Sequence, residues 1–261
     1  MKPASLGRRL ATALAVMLAT LPVLACESPV SVCPRDPGRG LALVKQGQPA
    51  AVLVEPGADP ALQHAARNFA ADLERVAGRP AALLQGPQGA GGEVVAIAEL
   101  GRSPLLADLV ARGKLRLDDL AGRWEAYRQV VVEQPWPGVP RALVIAGADR
   151  RGAVFGTYDL SARIGVSPWA WWADVPVTHH TELYLAAGER RDQPEVRYRG
   201  IFINDEAPAL STWAQQRFGG ANSAFYARVF ELLLRLRGNT LWPAMWPPRA
   251  FGAGRADHGS R

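Results

Sequence analysis

The sequence predicts an α/β protein, and three observations lead there. Short apolar runs suited to strands alternate with helix-periodic segments from about residue 51 to Gly165. A second strand–helix–strand series starts at Ile201 and ends near Trp242. Gly and Pro punctuate the joints between these segments. The composition agrees: 48% of the 261 residues are hydrophobic, ordinary for a globular chain, and no low-complexity tract interrupts it.

Ala51–Val54 reads as the first strand. Asp59 then offers an N-cap, with Pro60 at the first helical position. Leu62, Ala65, Ala66, Phe69, Leu73 and Val76 recur at helical spacing, and Gly78 ends the run. Ala81–Leu84 and Val94–Ala98 are further strands, Pro104–Arg112 a helix, Gln129–Glu133 and Ala142–Ala146 two more strands. The next helix carries Ala153, Thr157, Leu160 and Ile164 on one face and stops at Gly165. Gly147–Gly152 sits between strand and helix, where a phosphate loop could lie. It lacks both the G-x-G-x-x-G pattern and a Lys-Ser/Thr pair, so it reads as a tight turn. Ser167-Pro-Trp-Ala-Trp-Trp-Ala-Asp-Val175 concentrates three tryptophans. They can stack on sugar faces or fill an interdomain seam, and composition favours the seam. His179 and His180 adjoin a strand at Leu183–Leu185. Adjacent histidines diverge on a strand and no further ligand is near, so no metal site is assigned.

Arg190–Glu195 reads as a polar linker. Beyond it, Ile201, Phe202 and Ile203 form an apolar run suited to a buried strand, followed at once by Asn204, Asp205 and Glu206. In parallel α/β architectures chemistry lies just past the C-terminal ends of strands, so this cluster is a candidate site. Side chains alternate along a strand, so Asp205 and Glu206 diverge and are unsuited to be a matched acid/base pair. The alternative is a solvated turn that caps the next helix. Ala207–Ala221 reads as a long connection containing Trp213. Asn222 or Ser223 then caps a helix with Tyr226, Val229, Phe230, Leu233 and Leu236 on one face and Gly238 as its stop. Asn239–Trp242 is a second strand. This is the opening of a (β/α) series. A (β/α)8 barrel needs about 250 residues, far more than the stretch from Glu195 to Arg261 provides.

The net charge is +6, yet the arginines are scattered rather than clustered, so nucleic-acid binding is not expected. Lys2, Arg8 and Arg9 precede the apolar Leu10–Leu21, and Val23-Leu24-Ala25 provides a cleavage site before Cys26. This pattern predicts a signal peptide over 1–25, too short for a membrane span, and an exported protein in the periplasm or outside the cell. Cys26 and Cys33 are the only cysteines. Three alternatives stand for them: a lipid anchor on Cys26 of an outer-membrane lipoprotein, a small disulfide loop, or two free thiols.

Three segments together resemble glycoside hydrolase family 115, the xylan α-1,2-glucuronidases. They are Arg199-Gly-Ile-Phe-Ile-Asn-Asp-Glu206, Phe230-Glu-Leu-Leu-Leu-Arg-Leu-Arg-Gly-Asn-Thr-Leu-Trp-Pro-Ala-Met-Trp246 and Ser167-Pro-Trp-Ala-Trp-Trp-Ala-Asp-Val-Pro176. Gly147–Ser161 is similar to the N-terminal α/β domain of that family. The resemblance runs from about residue 41 to Phe251. It implies an N-terminal α/β domain (41–190), after an exported lead-in (26–40), followed by the first strand, helix and second strand of a (β/α)8 catalytic barrel (195–251). It implies an inverting hydrolase, needing no cofactor or metal, that removes glucuronic acid or its 4-O-methyl ether from glucuronoxylan. By the same analogy Asn204, Asp205, Glu206, Trp242 and Trp246 bind substrate, while the catalytic acid and base are expected on later strands. Residues 252–261 depart from the family pattern and read as an aberrant tail of a truncated chain, expected to be inactive alone. The competing expectations are an exported non-catalytic carbohydrate-binding module and an exported α/β domain without a ligand.

Overall fold

The computed structural model describes residues 26, 28–204 and 206–244. Its strands are β1 (Val32–Cys33), β2 (Leu41–Lys45), β3 (Gln48–Pro49), β4 (Ala51–Leu53), β5 (Leu83–Leu84), β6 (Val94–Glu99), β7 (Tyr127–Glu133), β8 (Arg141–Gly147), β9 (Leu183–Leu185), β10 (Glu189–Asp192), β11 (Gly200–Phe202) and β12 (Thr240–Trp242). Its helices are α1 (Pro60–Ala77), α2 (Pro104–Ala111), α3 (Arg150–Arg163), α4 (Ala209–Phe218) and α5 (Ser223–Arg235). The architecture is mixed α/β.

The central six-stranded sheet has the order β10-β7-β8-β6-β4-β5. β5, β4, β6 and β8 are parallel, whereas β7 runs antiparallel to β8 and β10 antiparallel to β7. Alternate strand residues feed two cores. Val52, Val95, Ile97, Leu143 and Ile145 pack with α1 and α3 on one face. Leu53, Val94, Ala96, Ala142 and Val144 pack with Leu106 and Leu109 of α2 on the other. Period-2 alternation with both faces apolar is what a covered parallel sheet requires.

The helix signals act as read. The Asp59 side chain accepts the Ala61 N–H, and Gly78 closes α1 in the left-handed conformation at φ 72°. Asp149 caps α3 by accepting the Gly152 N–H. Gly152 lies so close to the Ala126 carbonyl that a Cβ would meet its oxygen at 2.0 Å, so Gly147–Gly152 is a packed turn. One reading changes here. α3 is buried nearly all round from Gly152 to Ser161 rather than along one stripe, because it is enclosed by the sheet, α1 and α5.

A second, antiparallel sheet, β1-β9-β2-β3, adds Leu41, Leu43, Val44, Leu183 and Leu185 to the α1/α3 core. It takes in part of the predicted lead-in: β1 pairs with β9, Val30 and Cys33 are fully buried, and the Arg163 guanidinium donates to the Val30 carbonyl at 2.5 Å. Cys26 is joined to Cys33 as a disulfide, with Cα atoms 5.7 Å apart. Of the three alternatives for these cysteines the structure holds the disulfide. Among the described residues no helix is long and apolar enough to cross a membrane.

Three further expectations are corrected. The polar stretch expected to be a free linker begins as a strand: β10 pairs with β7 at the sheet edge, where charged Arg190, Arg191 and Asp192 suit a half-solvated strand. Ala207–Ala221 contains the helix α4, ended by Gly219 at φ 76°. Its polar Ser, Thr and Gln residues hid the Leu210–Trp213–Ala214 spacing. β11 is not buried: Phe202 is 56% exposed. Ile203 and Leu241 pack toward α4 and α5, so Phe202 projects from the opposite face of the two-stranded sheet, where no described element covers it.

Candidate functional site at the ends of the last two strands

β11 and β12 are parallel and in register, with Gly200 opposite Thr240, Ile201 opposite Leu241 and Phe202 opposite Trp242. The Ile203 N–H donates to the Trp242 carbonyl at 2.9 Å, so both strands end at the same level. A parallel pair needs a crossover between its strands, and α4 and α5 supply it here. At this end the Phe202 and Trp242 rings meet edge to face, with centroids 5.5 Å apart, and both are more than half exposed. Asn204 follows on the exposed side. Its Oδ1 accepts the Glu206 N–H at 3.4 Å, and the Glu206 side chain is exposed. The Ala244 N–H donates to the Tyr226 hydroxyl at 3.0 Å, which ties the chain after β12 to α5. Thus Asn204, Glu206 and Trp242 gather at one end of one strand pair. Asp205 and Trp246 lie outside the described residues.

The other end of the pair is fixed. Glu125, only 4% exposed, lies between the two strand starts. Its carboxylate accepts Arg199 Nη2 at 2.6 Å and Asn239 Nδ2 at 2.9 Å. Asn239 Oδ1 in turn accepts the Arg199 N–H at 3.0 Å, and Arg199 Nε donates to the Arg237 carbonyl at 2.7 Å. One buried carboxylate therefore holds the residues just before β11 and just before β12, which sets the level at which both strands end.

Two further carboxylates bind the same region. Asp72 of α1, 1% exposed, receives Arg235 Nη1 at 2.7 Å and Nη2 at 3.2 Å. The Arg235 guanidinium also lies 4.6 Å from the Tyr158 ring centroid. Desolvation is the largest influence on Arg235 and opposes its charge, but the hydrogen bond and charge of Asp72, together with Tyr158 and Glu231, outweigh it and leave its pKa above the ordinary arginine value. Burial pushes the Tyr158 hydroxyl up to about 12. Asp159 of α3 accepts Arg237 Nη2 at 2.6 Å and Arg163 Nε at 3.0 Å, and Arg237 also pairs with Asp192 of β10. A buried carboxylate must be paired to stay charged, so these contacts are directional clamps.

The tryptophan segment completes the seam. Trp172 stacks on Trp213 of α4 at 5.6 Å and meets Phe225 of α5 at 6.4 Å. Trp171 packs on Trp172 at 4.9 Å and lies under the Arg228 guanidinium at 4.9 Å. Of the two uses weighed for these rings, filling a seam is the one the structure displays. His180 takes part through its backbone, donating to the Val76 carbonyl at 2.8 Å. Sequence reasoning missed Glu125, Arg199, Arg235 and Arg237, because their partners lie 38 to 163 residues away. The only local signal was an Arg flanking each strand start.

A mixed α/β protein with an amide, a carboxylate and an indole at one strand-pair end is the class that these observations define. Residues 191–258, which contain both strands, match the family model described as Glycosyl hydrolase family 115. Among solved structures, the chain is similar to BtGH115A, described as a novel family GH115 4-O-methyl-α-glucuronidase with specificity for decorated arabinogalactans. Identity is 30%, coverage 77% of this chain and 26% of that one, and the TM-score 0.65. The chain thus spans about a quarter of the length of that protein. A Streptomyces plicatus β-hexosaminidase aligns at 17% identity over 82% of this chain and 32% of that one, with a TM-score of 0.46. The GH20 β-N-acetylhexosaminidase from Streptomyces coelicolor A3(2) aligns at 16% identity over 82% and 33%, with a TM-score of 0.45. No curated protein matches. The family match over residues 191–258 and the first of these structures agree, and both make the chain similar to glycoside hydrolase family 115.

Proposed function

We propose that this chain forms the N-terminal α/β domain and the first β-α-β unit of a (β/α)8 barrel of an exported glycoside hydrolase, and that the hydrolase releases glucuronic acid or its 4-O-methyl ether from a plant polysaccharide. The observation that carries this reading is the in-register end of β11 and β12, which lies within the family-matched segment. In a β/α barrel the helices lie outside, and ligands meet the C-terminal strand ends. α4 and α5 take the outer side here, so Phe202 and Trp242 face the side that a closed barrel encloses. The N-terminal strand ends, clamped by Glu125, correspond to the face that serves stability.

On this reading Asn204, Asp205 and Glu206 hydrogen-bond sugar hydroxyls, and Trp242 and Trp246 form an apolar wall of the glucuronate pocket. An inverting mechanism needs two carboxyl groups about 6.5–9.5 Å apart on opposite sides of the scissile bond. Asp205 and Glu206 are sequence neighbours, and neighbouring residues of an extended chain alternate in direction, so on this reading they bind and position rather than divide acid and base roles. The 261-residue chain accordingly binds the uronate-bearing oligosaccharide without turning it over. Export follows from the Arg8-Arg9 and Leu10–Leu21 pattern, and the Cys26–Cys33 disulfide suits an oxidising compartment.

The polymer is glucuronoxylan on the sequence resemblance. A decorated arabinogalactan is a second reading, favoured by the description of the similar structure. Titrating the chain with a 4-O-methylglucuronoxylo-oligosaccharide and with uronate-capped arabinogalactan fragments separates the two by affinity. Equal, non-saturable responses to both and to undecorated xylo-oligosaccharide would remove the proposal.

A further inference from the structure

Two neighbouring parallel strands of the six-stranded sheet diverge at their C-terminal ends. β4 continues through Glu55–Ala58 into α1 on one face, and β6 continues past Glu99 into α2 on the other. In open α/β sheets this divergence leaves a crevice where ligands bind. Here the crevice has a volume of about 320 Å3, at the lower end of the range that small-molecule pockets occupy. Leu62, Ile97, Ala98 and Pro104 give it an apolar lining.

Its polar groups divide into used and unused. Glu55 is used: Oε1 accepts the Leu105 N–H at 3.1 Å and Oε2 takes the Ser103 hydroxyl, which braces the start of α2. Both helix starts are capped as well, since Asp59 accepts the Ala61 N–H and Ser103 Oγ accepts the Leu106 N–H. Glu99 differs. Its Oε2 is buried without a hydrogen-bond partner, and a buried acceptor left open is costly. Burial, with Asp59 and Asp149, raises the Glu99 pKa above its ordinary value, and Arg102, which lines the same crevice, only partly offsets this.

We propose that this crevice is a second sugar site, built in the α/β unit and distinct from the strand-end site, that takes a neutral, hydroxyl-rich ring of monosaccharide size. Glu99 accepts a hydrogen bond from one ring hydroxyl, Arg102 donates to another, and the apolar lining covers a C–H face of the ring. The chemistry selects against the alternatives. Caps formed by Asp59 and Ser103 already occupy N–H donors at the helix starts, which a phosphate would need. Glu55, Glu99 and Asp59 repel any anion, a uronate included. Among the described residues no aromatic side chain lines the crevice to stack a nucleobase. The proposal does not depend on the glucuronidase reading, because it uses only residues of β4, β6 and the helices that follow them.

The test is a titration of the ¹⁵N-labelled chain with D-xylose and with D-galactose, and separately with D-glucuronic acid and inorganic phosphate. The amides of Gly57, Ala58 and Arg102 are expected to shift saturably with at least one neutral sugar, with a Kd in the millimolar range, and not with either anion. The Arg102→Ala variant alters an exposed side chain and should bind about tenfold more weakly with an unchanged melting temperature. Glu99→Gln should weaken binding as well. Absence of saturable shifts with both sugars, stronger shifts with phosphate or glucuronate, or full affinity in Arg102→Ala would overturn the proposal.

Discussion

Replacing Arg235 with methionine tests whether the last helix is clamped to the α/β unit by a buried ion pair. The substitution keeps the length and apolar contacts of the side chain but removes both hydrogen bonds to Asp72. The Asp72 side chain is 1% exposed and the Arg235 side chain 7%, so water cannot take the place of the guanidinium without opening the seam. The remaining cation, Arg75, lies 3.9 Å from Asp72 and is half exposed, too distant to replace two direct bonds. Removing one partner of such a pair costs about 3–5 kcal/mol, and Arg75 places the expectation at the lower end, ~3 kcal/mol. In a body of this size each kcal/mol shifts Tm by about 2–4 °C, so a fall of roughly 6–12 °C is expected in a melt followed by circular dichroism. Asp72→Asn combined with Arg235→Met removes both charges and should recover most of the loss, because the large penalty comes from the stranded carboxylate. A single variant that melts within about 2 °C of the parent, or a double variant no better than the single, would refute the reasoning.

Three other outcomes follow from the same contacts. Glu125→Gln leaves Arg199 without its counter-charge at the strand starts and should lower stability by about 2 kcal/mol in urea unfolding, with Asn239 amide exchange accelerated. Tyr158 titrates at about 12 in the fold, above its ordinary 10, because burial disfavours the phenolate. The unfolded chain therefore loses this proton first, and the stabilising contribution is complete below pH 10 and lost as pH rises toward 12, which ultraviolet titration with parallel melts would follow. Trypsin should cut first at exposed Arg197 rather than at Arg190 or Arg191, which lie in β10. The two pieces should co-elute under native conditions and separate only when denatured.

Much of the α/β unit was legible in the sequence because its signals are local. Asp59 before Pro60 and Gly78 after Ala77 mark the ends of α1, and apolar runs at Val94 and Ala142 mark two central strands. The strands β1 and β10 and the helix α4 were not legible in the same way. β1 is two residues long and exists through its pairing with β9, and β10 is an edge strand of charged residues that owes its form to β7. The strand-end cluster Asn204–Glu206 was visible as polar residues after an apolar run. What positions it was not, because Glu125, Asp72 and Asp159 meet their arginines across long stretches of chain. Even the misjudged burial of Phe202 has a local cause: an alternating strand has two faces, and the apolar run alone does not say that one of them is uncovered.

The central claim is that the end of β11 and β12 holds the uronate. It is tested most directly by calorimetric titration of a 4-O-methylglucuronoxylo-oligosaccharide into the chain and into its Asp205→Ala variant. The account predicts saturable binding to the parent and at least about tenfold weaker binding to the variant, at equal melting temperature. Equal affinity for parent and variant would contradict it.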